Sequence, residues 1–153
     1  MTTYLWIKLI HILSATVLFG TGMGTAFFML KAYLSNSDAA MLETSKHVVQ
    51  ADWFFTTPAV VVQLLTGIWL TSHLAISFTS YWFVAVIGLY AFVGACWIPV
   101  VWIQIRVNRL LQEGAKRDSY RPLMRAWTAL GIPAFASVLM LFYLMVSKYG
   151  AYP

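Results

Sequence analysis

Four runs of apolar residues, each long enough to cross a lipid bilayer, constrain the fold of this chain more than any other feature. They cover approximately residues 4–33, 53–74, 81–107 and 127–149. About 20 apolar residues in a helix cross a hydrocarbon core of about 30 Å. In lipid, backbone N–H and C=O groups must be bonded internally, which favours helices. The sequence therefore predicts an all-α integral membrane protein, a single domain that forms a four-helix up-down bundle.

The composition excludes a soluble globular domain. Hydrophobic residues make up 61% of the chain and charged residues only 10%, whereas a soluble domain carries roughly a quarter charged residues. The single cysteine, Cys96, excludes an internal disulfide. The first apolar run lacks a basic start and a small-residue cleavage site, so we expect it to be a retained helix and not a signal peptide.

The basic residues predict the orientation of the bundle. One side of the membrane receives only Lys8 and Lys148, and the other receives the remaining eight: Lys31, Lys46, Arg106, Arg109, Lys116, Arg117, Arg121 and Arg125. Because loops rich in Lys and Arg stay in the cytoplasm, both termini are expected in the periplasm of a bacterial inner membrane. The net charge of +5 is thus a topology signal, and nucleic acid is not an expected partner.

Each span has one face on which polar and small residues recur at intervals of three and four, and we expect these faces to line the bundle interior. They comprise His11, Ser14 or Ala15, Leu18, Gly22, Thr25 and Met29 in the first span; Asp52, Thr56, Ala59, Gln63, Thr66 or Gly67, Leu70 and His73 in the second; Ile87, Tyr90, Gly94, Trp97, Val101, Gln104 and Asn108 in the third; and Trp127, Gly131, Ala134, Val138, Leu141, Met145 and Lys148 in the fourth.

His11 is the main candidate for chemistry. A titratable side chain inside a span costs about 3 kcal/mol even on lenient scales, so it needs a partner, a ligand or a proton to move. One interpretation is that His11 binds a metal or cofactor; the other is that it hydrogen-bonds a carbonyl, Gln63 or Tyr90. Gln63 and Tyr90, together with Trp97, are also candidates to line a cofactor pocket.

Two further pairings are open. His73 ends the second span on the same side of the membrane as His11, so a bis-histidine site is conceivable, although the two depths differ by on the order of 10 Å. Asp52 lies at the level of Arg106, Arg109 and Arg125, and we predict a structural ion pair, most simply with Arg106; a proton relay through Asp52 is the alternative.

Several sequence segments resemble known families. The segments are Lys8-Leu-Ile-His11-Ile-Leu, the glycines from Gly20 to Gly24, Ala51-Asp52-Trp53-Phe54-Phe55-Thr56-Thr57-Pro58-Ala59, Trp97-Ile-Pro99, and Gly131-Ile-Pro133-Ala134. Over essentially the whole chain they resemble a bacterial family of predicted integral membrane proteins that carries no assigned activity. More distantly, the start Tyr4-Leu-Trp6-Ile-Lys8-Leu-Ile-His11 is similar to HemJ-type protoporphyrinogen oxidases, and beyond these the chain is similar to CopD-like membrane proteins.

The resemblance to HemJ-type proteins implies haem b or a related tetrapyrrole, with His11 as the axial ligand. The third span has neither the lysine nor the histidine of that family, so only His11 carries over, and no catalytic residue is assigned. The expected function is redox chemistry or tetrapyrrole handling in the membrane, with a membrane redox partner or a quinone. The alternatives are a cofactor-free scaffold, partner subunit or small transporter, which would form a pore only as a homo-oligomer, and copper handling through His11 and scattered methionines.

Overall fold

The computed structural model describes residues 2–147. Its elements are α1 (Thr2–Leu34), α2 (Asp38–Ala51), a π-helical turn (Asp52–Thr56), α3 (Thr57–His73), α4 (Tyr81–Gln112) and α5 (Arg117–Ser147). The predictions that concern Lys148 and Tyr149 lie outside the described residues.

The segments α2, π turn and α3 follow one another without interruption, so the elements form four long helices, and each of the four is long and apolar enough to cross a membrane. This confirms the predicted all-α membrane bundle. The second and fourth helices begin at Asp38 and Arg117, well before the apolar runs at 53 and 127. Hydropathy marks only the part of a helix that suits lipid, whereas helical structure continues into the polar flanks.

The π turn between α2 and α3 has a local cause in the sequence. Pro58 lacks the N–H that would continue the α-helical pattern. The N–H of Thr57 bonds to the carbonyl of Asp52, five residues back, and the Thr57 hydroxyl donates to the same carbonyl at 2.9 Å. The helix therefore widens by one residue at Asp52–Thr56 and stays continuous.

The best-packed part of the bundle is the end at which α1 runs into α2 and α4 into α5, which we call the basic end because it carries Lys31, Lys46 and Arg106. Its core consists of Met29, Ala32, Met41, Val48, Ile103, Val107, Leu111, Tyr120, Met124 and Trp127. The opposite end, which we call the terminal end, has a smaller core at Ile76 and Trp82, where the Trp82 indole donates to the Leu144 carbonyl at 2.8 Å.

The helix pairing leaves the middle of the bundle to polar and small residues. α1 packs chiefly on α3 and α4 on α5, while α2 packs against both α1 and α4. The predicted interior faces are buried or half-buried throughout residues 2–147, with the exceptions of Gly22 and His73, which are exposed. Large apolar side chains such as Phe54, Ile98 and Ile132 are more than half exposed, as expected of surfaces that contact lipid.

Candidate functional site

The His11 side chain extends from α1 to the interface with α3, and side chains of α3 contact both of its ring nitrogens. Nδ1 is 2.8 Å from the hydroxyl oxygen of Thr66, and Nε2 is 3.0 Å from the side-chain amide nitrogen of Gln63. Three residues between two helices thus form one polar network, which we call the His11 network. Of the partners that the sequence leaves open for His11, Gln63 is in contact with the ring.

The partners of His11 define its protonation pattern. An amide nitrogen only donates, so Nε2 must accept from Gln63 and keep its lone pair. Nδ1 then carries the proton and donates it to Thr66. The Thr66 hydroxyl is free to accept because its own hydrogen goes to the Val62 carbonyl at 2.6 Å. These partners correspond to a neutral imidazole with hydrogen on Nδ1.

Ser14 completes the His11 network from the α1 side. Its hydroxyl is 2.5 Å from the Gln63 side-chain oxygen and 2.9 Å from the His11 carbonyl. In this arrangement the amide oxygen of Gln63 is directed to Ser14 and its nitrogen faces His11. Ser14 also lines the inner side of a shallow apolar groove of about 310 Å³, whose walls include Phe54, Phe55 and Val62.

Gly67 lets α1 and α3 approach closely at the His11 ring. A Cβ built at Gly67 would lie 3.2 Å from the ring carbon Cε1, which is tighter than ordinary van der Waals contact. A side chain larger than glycine would require the imidazole to shift by a few tenths of an ångström. A glycine here has a packing role, in keeping with small residues at helix interfaces in lipid.

The other predicted cofactor residues lie apart from His11. The Tyr90 hydroxyl donates to the Val60 carbonyl at 2.7 Å, and Trp97 lies beside Asp52. His73 is exposed and stacks on Trp69, with ring centroids 4.8 Å apart, and on Tyr4, at 5.3 Å.

A bis-histidine site does not form in this arrangement. Tyr4 precedes His11 by seven residues on α1, which corresponds to about 10 Å along the helix. Since His73 stacks on Tyr4, its ring lies near that level of α1 and not at the level of His11.

The structure does not bring Asp52 and Arg106 together. Asp52 is 5% exposed and accepts the Thr56 hydroxyl at 2.8 Å, whereas Arg106 is exposed. Within residues 2–147 the ion-pair contact is that of His47 with Glu43, at 3.0 Å. The long side chain of an arginine at the end of a span reaches the polar boundary of the membrane. Asp52 and Arg106 were expected at the same membrane depth but therefore do not come into contact.

The sequence pattern placed further partners of His11 and of Asp52 on interior faces but did not identify them as parts of a site. Ser14 and Thr66 belong to the His11 network, and Thr56 and Gln104 belong to the surroundings of Asp52. The signal for Thr56 is its position four residues after Asp52, which places both side chains on one helix face. Within one sequence, no comparable signal links Ser14 to Gln63 across two helices.

The close approach at Gly67 leads to a test by alanine substitution. Alanine is favoured over glycine in a helix by about 1 kcal/mol, and at Gly88, where an added Cβ meets nothing within 4 Å, we expect Gly88→Ala to keep that gain. At Gly67 the clash with His11 should reverse it, because overpacking costs about 1–3 kcal/mol. Unfolding of both variants in detergent with increasing sodium dodecyl sulfate would measure the difference. Equal stabilities would show that the ring is not confined by Gly67.

Comparison with known proteins identifies a family. The family model described as "Predicted integral membrane protein (DUF2269)" matches residues 5–149. No curated protein and no solved structure matches the chain. The more distant resemblance to HemJ-type and CopD-like proteins is not shown by these comparisons and stays a prediction.

Proposed function

The chain belongs to the predicted integral membrane protein family DUF2269, and we propose that, as such a membrane protein, it binds haem b or a related tetrapyrrole, with His11 as the axial ligand. The proposed role is redox chemistry or tetrapyrrole handling within the bilayer. The observation that carries this proposal is the protonation pattern of His11.

The residues around His11 fit an iron ligand in two respects. Iron is bound by a neutral imidazole through a nitrogen with a free lone pair, and Nε2 has that lone pair because Nδ1 holds the proton. Histidines that bind metals also donate their other N–H to a fixed acceptor, which orients the ring. Thr66 is such an acceptor at 2.8 Å.

Ligand binding at Nε2 requires Gln63 to leave that nitrogen. Gln63 is a neutral, rotatable side chain whose oxygen already has a partner in Ser14, so its displacement leaves no buried charge. When bound, haem would supply one-electron redox chemistry. The chain itself supplies the ligand, the orientation of the ring through Thr66 and the exclusion of water by the helix interface.

A quinone or another membrane redox partner belongs to the same proposal. The groove beside Ser14 supports a quinone, because its walls are apolar and the Ser14 hydroxyl at its side offers a polar contact next to Gln63. A flat ring in this groove would contact the polar network at one edge and keep its tail in lipid.

A cofactor-free membrane module, such as a scaffold, a partner subunit or a small transporter working as a homo-oligomer, is the second candidate function. The specific observation in its favour is that both ring nitrogens of His11 already have partners. In that case the His11 network joins α1 to α3 and does no chemistry. Copper handling stays a prediction with no contact of its own in support.

An absorption spectrum distinguishes the two candidates. The protein is expressed with ample haem, purified in detergent and measured oxidised and dithionite-reduced. Haem ligation predicts a Soret band and sharp reduced α and β bands, which are lost in His11→Ala and kept in the matched variants His73→Ala and His47→Ala. A colourless wild-type protein, or bands unchanged in His11→Ala, would contradict the proposal.

We also propose that the basic end faces the cytoplasm of a bacterial inner membrane and that both termini are periplasmic. The support is the charge bias, since Lys31, Arg106, Arg109 and Lys116 flank the connections at that end. A reporter fused after Gly114, which lies in the exposed connection of α4 to α5 with φ +78°, should report a cytoplasmic location. One fused after Ser77 should report a periplasmic location, and reversed signals would overturn this orientation.

A further inference from the structure

A second polar cluster lies on the π turn, away from the His11 network. Asp52 and Gln104 are only 5% and 3% exposed, and Thr56 is buried beside them. The Thr56 hydroxyl donates to one carboxyl oxygen of Asp52, Oδ1, at 2.8 Å. The side chains of Trp97 and Gln104, both on α4, face the same carboxyl group. We call these four residues the Asp52 site.

Three polar atoms of the Asp52 site have no hydrogen-bond partner in the part of the chain that the structure describes. They are Asp52 Oδ2, Gln104 Oε1 and Trp97 Nε1. Two of the three are oxygens that only accept when the carboxyl is ionised, and the third is the indole N–H of Trp97, a neutral donor. An indole can supply a hydrogen to the carboxyl group but no positive charge, so an ionised Asp52 stays without a cation here.

No side chain between residues 2 and 147 supplies that charge. The elements that pack against the π turn carry further titratable groups, and no ion pair joins any of them to the Asp52 carboxyl: Tyr4, Lys8, His11, Lys31 and Tyr33 on α1; Asp38, Glu43, Lys46 and His47 on α2; His73 on α3; and Tyr81, Tyr90, Cys96, Arg106 and Arg109 on α4. A buried carboxylate must be paired, bound to a cation or neutralised. The missing charge must therefore come from solution.

The helix continues through the π turn, but its backbone shares one feature with the cation sites of transporters, where carbonyls that the helix does not use hold Na⁺ or H⁺. Pro58 has no N–H to give to a carbonyl of this turn. The irregular backbone and the buried carboxyl group thus coincide at one position.

We propose that the Asp52 site binds a small monovalent cation, either a proton or a sodium ion. A proton on Oδ2 turns this acceptor into a donor, which Gln104 Oε1 can accept. A sodium ion would instead be bound by oxygen atoms, with Oδ2 and Oε1 as the first two ligands. Both ions neutralise the same carboxylate. This proposal does not depend on haem binding at His11.

The thermal midpoint of unfolding, Tm, of the full chain in detergent tests cation binding. An ion that binds the folded state stabilises that state, and the stabilisation rises with the logarithm of the ion concentration. One titration raises sodium about a hundredfold at constant ionic strength with choline as the replacement, and the other lowers the pH by about two units in sodium-free buffer. We expect the Tm of the wild-type protein to rise by about 3 °C or more in one of the two.

Variants assign the response to the site. Asp52→Asn, which is neutral and cannot exchange a proton, should lose the response, and the difference from wild type removes the contribution of the histidines. Asp118→Asn, which removes an exposed carboxylate, should keep it. If Asp52→Asn does not fold, Gln104→Leu serves as the second variant and should at least halve the response.

The outcomes separate the two ions. A response to sodium that Asp52→Asn loses identifies a sodium site, and a response to pH that it loses identifies a proton site. In the proton case an infrared carboxyl C=O band should also vanish in Asp52→Asn. A Tm that is independent of both ions, or a response that Asp52→Asn retains in full, would overturn the proposal.

Discussion

A bilayer offers no water to the polar groups that cross it, so every such group in this chain must find its partner inside the bundle. The His11 network is the clearest consequence. One imidazole on α1 takes both of its partners, Gln63 and Thr66, from α3. Gly67 allows the approach that these bonds require. Removing one member would leave another polar atom unpaired at a depth where nothing replaces it.

The same constraint acts differently at the π turn. There the Asp52 carboxyl group is buried with Thr56 as its hydrogen-bond partner, and the nearby basic residues extend away from it. The chain thus contains two polar positions of different character along the second long helix. The one at Gln63 is satisfied within the protein, and the one at Asp52 is incomplete without a cation. The Tyr90 hydroxyl, bonded to Val60, lies between them along α3.

Much of this arrangement could be predicted from the sequence, because the bilayer limits the choices. The length of the apolar runs predicts four helices, and the spacing of three and four predicts their inner faces. Gln63 and Gln104 lie on those faces, and Ser14 was one of two candidates at its position. Gln63 was one of the partners that the sequence left open for His11, beside Tyr90 and a backbone carbonyl. His73 was placed on an inner face, whereas its ring is exposed and stacks on Trp69 and Tyr4 at the end of α3.

Other features could not be read from one sequence. The π turn depends on whether the Thr57 N–H bonds to the carbonyl four residues back, as in an α-helix, or to that of Asp52, five residues back. Pro58 favours an irregular backbone here, but its presence alone does not determine which carbonyl is used. The expected contact between Asp52 and Arg106 was based only on their similar depth in the membrane. A long arginine side chain instead keeps its charged group in water. The hydrogen on Nδ1 of His11 is defined only once Thr66 and Gln63 are seen on opposite nitrogens.

The most direct test of this account is the nitrogen NMR spectrum of haem-free protein labelled with ¹⁵N-histidine, with His11→Gln used to assign the His11 signals. The two nitrogens of a neutral imidazole differ strongly in shift according to which one carries hydrogen. The structure predicts hydrogen on Nδ1 and a lone pair on Nε2, and Thr66→Val should weaken this preference. Hydrogen on Nε2 in the wild-type protein would mean that Gln63 presents its oxygen to His11, and the nitrogen proposed to bind iron would have no lone pair to offer.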